Sequence, residues 1–153
     1  MKYNRLTKEQ LESFSHEFAQ FLATQGIDKA KWEEFKKTNS QIVEEELDLF
    51  SDMVWEQVLE KTNYIEHYSS QFLNLFKCTD EAMERIVIQC NTKDFLVPKD
   101  LEWVLQNLTI DNVEILHGKK KYEKERNQEL FDLIQMGGVL SKGILYESIA
   151  KSL

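Results

Sequence analysis

Apolar residues recur along Ser40–Lys61 at helical spacing. Val43, Leu47, Phe50, Val54 and Val58 follow at steps of four, three, four and four, which places them on one side of an α-helix. Asn39 or Ser40 is positioned to cap its start. Upstream, Leu11, Phe14, Phe18, Phe21 and Leu22 form a second helical stripe. Thr7 and Gln10 have capping-box spacing at its start, and Gly26 ends it. Asp28 can cap a short helix to about Lys37, with Trp32 and Phe35 turned inward.

After Thr62 the period changes. NYIEHYSS, QFLNLFKC and ERIVIQCN are short runs rich in aromatic and β-branched residues, broken by Ser69-Ser70 and Thr79-Asp80-Glu81. They predict an antiparallel meander. In the second strand Phe72, Asn74 and Phe76 share one face and Leu73 and Leu75 the other; in the third, Ile86 and Ile88 oppose Val87. Pro98 fits the first turn of a helix to about Asn107, with Leu101, Val104, Leu105 and Leu108 inward. NVEILHG predicts a fourth strand, and GKKKYEKERNQELFDLIQMGG a helix that is amphipathic in its second half. Ser141 is expected to cap a last helix containing Ile144, Leu145 and Ile149.

The expected fold is therefore α+β: N-terminal helices packed with a small, mostly antiparallel sheet of about four strands, then C-terminal helices. At 153 residues a single domain is expected, with a helical part at about 1–61 and sheet and helices at about 62–153. Strand order is left open.

Charge adds a second layer. Between Thr38 and Glu60 lie Glu44, Glu45, Glu46, Asp48, Asp52, Glu56 and Glu60, with no Lys or Arg among them. The whole chain carries a net charge of −8, which disfavours DNA and anionic membranes as partners. No run approaches the roughly 20 apolar residues of a membrane span. Met1-Lys2-Tyr3 leads straight into polar sequence, so no signal peptide is expected. Two cysteines are too few for a disulfide framework, and a reduced, cytoplasmic protein is the expectation.

Candidate chemistry is sparse. His67, Cys78, Cys90 and His117 fall on or just past predicted strands, and two thiolates with two imidazoles suit tetrahedral zinc. The spacing has no local CxxC or HxxxH pair, so metal and cofactor are both expected to be absent; a small-pocket enzyme or metal protein built on these four is the alternative. Glu114 and His117 have Glu-x-x-His spacing, but on a strand they point to opposite faces. Catalytic residues are not expected: there is no G-x-S-x-G, and an exposed row of carboxylates does not separate two pKa values. His16 lies off its helix stripe and reads as a solvated side chain. Gly118-Lys119-Lys120-Lys121 follows a strand and opens the next predicted helix, a weak anion-binding signal without a second glycine. Lys119, Lys120, Lys121, Lys124 and Arg126 suit RNA contact, although Glu123, Glu125 and Glu129 are interleaved with them, so RNA is not the expected partner.

LDLFSDMVWEQVL, NYIEHYS, NLFKC and ERNQELFDLI together resemble an uncharacterised family of short acidic proteins of Bacteroidetes-type bacteria, a domain of unknown function. The resemblance covers nearly the whole chain. It implies a bacterial cytosolic origin and carries no activity, cofactor, partner or site residue. The leading expectation is a protein–protein interaction or regulatory module. Its docking face is the acidic side of Ser40–Lys61, with Asp48, Asp52, Trp55 and Glu56 as contacts for a basic protein, an assignment in which Asp52→Lys with Glu56→Lys leaves the fold intact.

Overall fold

The computed structural model describes all 153 residues, which form two compact units, Met1–Val58 and Leu59–Leu153. No helix is long and apolar enough to cross a membrane.

The first unit is helical: α1 (Lys8–Ser13), α2 (Ser15–Thr24), α3 (Lys29–Thr38) and most of α4 (Ser40–Lys61). Its boundaries follow local chemistry. Thr7 and Gln10 close a reciprocal capping box, Asp28 accepts the Lys31 N–H, and the Asn39 side chain accepts the Ile42 N–H. Gly26 takes a positive φ of 74° at the end of α2. The expected single helix after Thr7 is bent at Phe14. There the Ser13 hydroxyl bonds back to the Gln10 carbonyl, in competition with the helical ladder. The bend lets Phe14 and Phe18 both reach Phe50, at ring-centroid distances of 6.4 and 5.0 Å. Phe50, fully buried, anchors one cluster with Leu6 and Val54; Leu22, Ile27 and Trp32 form another. Phe18 joins them, edge-on to Trp32 at 5.2 Å.

The second unit is built on one sheet: β1 (Tyr64–Tyr68), β2 (Phe72–Cys78), β3 (Ala82–Cys90), β4 (Val113–Lys121) and β5 (Val139–Ser141). The order is β4-β3-β2-β1-β5 and every pair is antiparallel. The helices are α5 (Pro98–Gln106), α6 (Arg126–Gln135) and α7 (Ile144–Ala150). The alternation expected for β2 and β3 holds. Leu73 lies opposite Ile88 and Leu75 opposite Ile86, and all four are fully buried. That face packs with Val104 of α5 and with Tyr146 and Ile149 of α7. The opposite face carries Ile65, Phe76, Cys78, Met83 and Val87, with α6 alongside.

Three expectations for the second unit change. There are five strands rather than about four: Val139–Ser141 pairs with Tyr64–Glu66. Three residues are too short a run for periodicity to mark. What permits the strand is Gly138, where a Cβ would stand 2.8 Å from both Ile65 Cγ2 and the Leu133 carbonyl. Gly118–Lys121 does not open a helix but continues β4, paired with Ala82–Arg85. The lysines line an edge strand, where their charge discourages pairing with another chain. The last helix starts at Ile144 behind Gly143 rather than at Ser141. Ser141 belongs to β5, where its hydroxyl accepts the Gly143 N–H and donates to Glu66.

Candidate functional site

The acidic side of α4 is not bare. Residues 2–6 lie along it. Asp52 accepts the backbone N–H groups of Lys2 (2.6 Å) and Tyr3 (2.8 Å). Glu56 accepts the Tyr3 hydroxyl at 2.5 Å and pairs with Lys2. The Arg5 guanidinium bridges Asp48 and Glu44. Tyr3 and Leu6 are buried, and the Leu6 N–H donates to the fully buried Ser51 hydroxyl at 3.0 Å. The picture of seven uncompensated acids is therefore corrected: Lys2 and Arg5, from outside the helix, neutralise its middle. Glu46 also leaves the strip. It is buried, and its Oε2 accepts no hydrogen bond. Trp55 packs against the Leu6–Phe50–Val54 cluster. Tyr3 is held protonated by burial and by the adjacent Glu56 carboxylate, its pKa pushed up to about 12.

His67, Cys78, Cys90 and His117 do not converge. Strand register puts Cys78 on the face of Met83 and Cys90 on the opposite one, with His117 opposite Ile86 on the face of Cys90. His117 and Cys90 are separated by four strand positions, about 13 Å. His67, on the face of Cys78, lies across from Asn74, again four positions from Cys78. No group of three metal-ligating side chains forms anywhere. Both thiols are free and buried, and burial pushes Cys78 up to about 12, far from thiolate reactivity. The four-residue pocket of the alternative reading is thus not built.

Arg126 is not available to RNA either. Its guanidinium donates to the carbonyls of Leu59 (2.9 Å), Thr62 (2.5 Å), Cys78 (3.1 Å) and Thr79 (3.2 Å). It thereby satisfies carbonyls at the end of α4 and the end of β2, and its charge complements the negative end of the helix. Lys124 pairs with Asp132 at 2.9 Å and Lys120 with Glu129 at 3.6 Å. Lys124 holds the Asp132 carboxyl below the ordinary range.

One concavity stands out in the second unit. A trough of about 720 Å³, open to solvent, lies on the sheet face that carries α6. Its floor is Phe76, Arg85, Val87, Leu116 and Gly118; Leu133 of α6 and Met136 just past its end form one wall. Two features shape the floor. Gly118 sits opposite Arg85, and a Cβ there would meet nothing within 4 Å, so its missing side chain leaves a notch in the floor. A glycine within the run of a strand often marks a place where another molecule approaches the sheet closely. Beside it, Arg85 is held in place. Its Nε and Nη2 donate to the Oδ1 of the buried Asn74 at 3.1 and 2.5 Å, and its guanidinium carbon lies 5.5 Å from the Phe76 ring centroid. Leu116 and Met136 are 62% and 72% exposed, a large apolar surface for two side chains to leave in water.

Sequence reading missed this site. Its signals were present but undirected: Asn74 inside an apolar strand, on the same face as Phe76, and a single glycine inside what proves to be a strand.

The chain is thus an α+β protein with an open, partly apolar trough on one face of an antiparallel sheet. It belongs to the family of unknown function DUF6495, whose model it matches over residues 1–153. No curated protein and no solved structure matches it.

Proposed function

We propose that this chain works as a binding module and that its ligand occupies the trough over Gly118. The observation that carries this reading is the combination of size and lining. A volume of about 720 Å³ lies in the range of small-molecule sites, and the floor joins apolar side chains to one oriented polar group. Nothing in the trough resembles a nucleophile with its base, so the residues favour holding a molecule over transforming it. The test is to fill the notch. Gly118→Phe adds a side chain at a position whose Cβ has open space, so the fold is retained. A neutral apolar reporter such as N-phenylnaphthylamine should fluoresce with the wild type and lose that signal with Gly118→Phe. Equal fluorescence from both proteins would place the reporter elsewhere and overturn the reading.

The acidic face of α4 supports a second reading, a protein–protein interaction or regulatory surface centred on Asp48, Asp52, Trp55 and Glu56. What favours it is the segment lying there: residues 2–6 define what a basic partner would have to offer in their place, namely a guanidinium, a hydroxyl and two amide donors. A synthetic peptide of residues 1–7 should bind the Lys2→Ala, Arg5→Ala variant more tightly than the wild type. No difference between them would remove this reading. A reduced, cytosolic setting belongs to the same proposal, since both cysteines are free and buried.

A further inference from the structure

Resting on the trough as a binding site, we infer the class of its ligand: a small amphipathic anion, with an acidic head group on Arg85 and an apolar body along Val87, Leu116, Leu133 and Met136. The charge pattern around the trough points to Arg85. Four cations and three carboxylates line it, but Lys120 and Lys124 are already paired with Glu129 and Asp132, and strand alternation turns Lys119, opposite Glu84, towards the other face of the sheet. Arg85 has no carboxylate partner. Its contacts are the neutral Asn74 amide and the face of Phe76.

The geometry of those contacts matters. Asn74 takes Nε and one N–H of Nη2, which fixes the plane of the guanidinium. Nη1 and the outer N–H of Nη2 remain free, side by side. That pair of parallel donors matches the two oxygens of a carboxylate or the equivalent edge of a sulfonate or phosphate. Of the three carboxylates that line the trough, Glu129 and Asp132 are engaged by lysines, and Glu123 is exposed in the bend after β4. A fully neutral ligand would leave an oriented cation without use.

The notch at Gly118 explains how one molecule reaches both parts. Gly118 is the direct cross-strand neighbour of Arg85, and Val87 and Leu116 are the next pair facing the trough along the same two strands. A head group on Arg85 therefore has an apolar path beginning one strand pair away. Leu133 of α6 and Met136 just past its end line the same trough. A single-chain carboxylic acid with an unbranched tail is the simplest molecule with this layout.

The experiment is a displacement titration with N-phenylnaphthylamine as the neutral reporter and two competitors of equal chain length, decanoate and decanol. It is run on the wild type, Arg85→Gln and Gly118→Phe at low ionic strength. The expected result is that the reporter binds wild type and Arg85→Gln alike, since the apolar lining is unchanged. Decanoate should displace it from the wild type about tenfold more effectively than decanol, the effect of one charge-assisted pair. That preference should vanish in Arg85→Gln, and should fall in the wild type as salt is raised. If both competitors act equally on the wild type, or if the preference survives in Arg85→Gln, the anion assignment is overturned while the trough reading stands. If the reporter does not bind the wild type, or binds Gly118→Phe just as well, the trough reading falls and takes the anion assignment with it. Should Arg85→Gln fail to fold, the salt series on the wild type decides: a preference for decanoate indifferent to salt overturns the assignment.

Discussion

The Asp52 carboxylate accepts the backbone N–H of Tyr3 at 2.8 Å, joining residues 49 positions apart in sequence. It accepts the Lys2 N–H as well, and Glu56 one turn later takes the Tyr3 hydroxyl. An acid in that position is a structural clamp. The charge reversal Asp52→Lys with Glu56→Lys, which on sequence alone leaves the fold intact, should instead release residues 2–6 and expose Tyr3 and Leu6. The expected loss is about 3 kcal/mol, from three charge-assisted hydrogen bonds in a partly exposed setting and the like charges then facing Lys2. A urea midpoint equal to that of the wild type would show that the clamp contributes nothing.

The same clamp predicts alkaline sensitivity. Tyr3 has an ordinary pKa near 10 and is raised to about 12 in the folded chain, by burial first and then by Glu56. The folded state therefore holds this proton more tightly than the unfolded state. Its contribution is fully present below pH 10 and is lost as the pH rises towards 12. Tyr3→Phe should be less stable than the wild type at neutral pH by about 2 kcal/mol, the value of one hydrogen bond to a charged acceptor. The gap should close as the pH climbs through that window. Urea midpoints of both proteins along a pH series check this; a gap independent of pH would mean that Tyr3 does not titrate with folding.

Arg126 predicts a failure of conservative substitution. Four carbonyls converge on one planar guanidinium, and an ammonium cannot reach all of them. Arg126→Ala should cost about 3 kcal/mol, and Arg126→Lys should recover less than half of it. Chemical denaturation of the two variants beside the wild type is the measurement. Full recovery by lysine would show that charge near the end of α4, not the fork, is what matters.

Two glycines predict opposite outcomes for the same substitution. Gly143 has φ of 80°, and a Cβ there would lie 2.4 Å from the Tyr64 ring. Gly143→Ala should destabilise by about 2 kcal/mol or more, through backbone strain and the displaced ring together. Gly118→Ala has ordinary backbone and open space, so it should be neutral or slightly stabilising, since alanine loses less backbone entropy in a strand. Melting temperatures of the two variants, measured side by side, separate them; equal losses would contradict the geometry at both sites.

Legibility in the sequence follows the range of the interaction. Thr7 with Gln10, Asp28 with Lys31 and Asn39 with Ile42 are contacts three residues apart, so the helix starts they fix can be read directly. The two faces of β2 and β3 were readable for the same reason, because alternation is a local property. The extent of β4 was not. Lys119–Lys121 has no strand character of its own and is extended because Ala82–Glu84 offers it partners. Asn74, a lone polar residue in an apolar run, could not be assigned a role until Arg85 was placed beside it across the strands.

The sequence by itself determined the α+β class, the helix caps at Thr7, Asp28 and Asn39, the inward stripes and the excess of acid along α4, all set by nearest neighbours along the chain. Tertiary structure alone decided what that acid does, because its counter-charges come from Lys2 and Arg5, residues 39 to 54 positions away. It also decided the trough. A concavity exists only where strands distant in sequence lie side by side, and the missing side chain of Gly118 becomes a notch only when Arg85 and Leu116 stand around it.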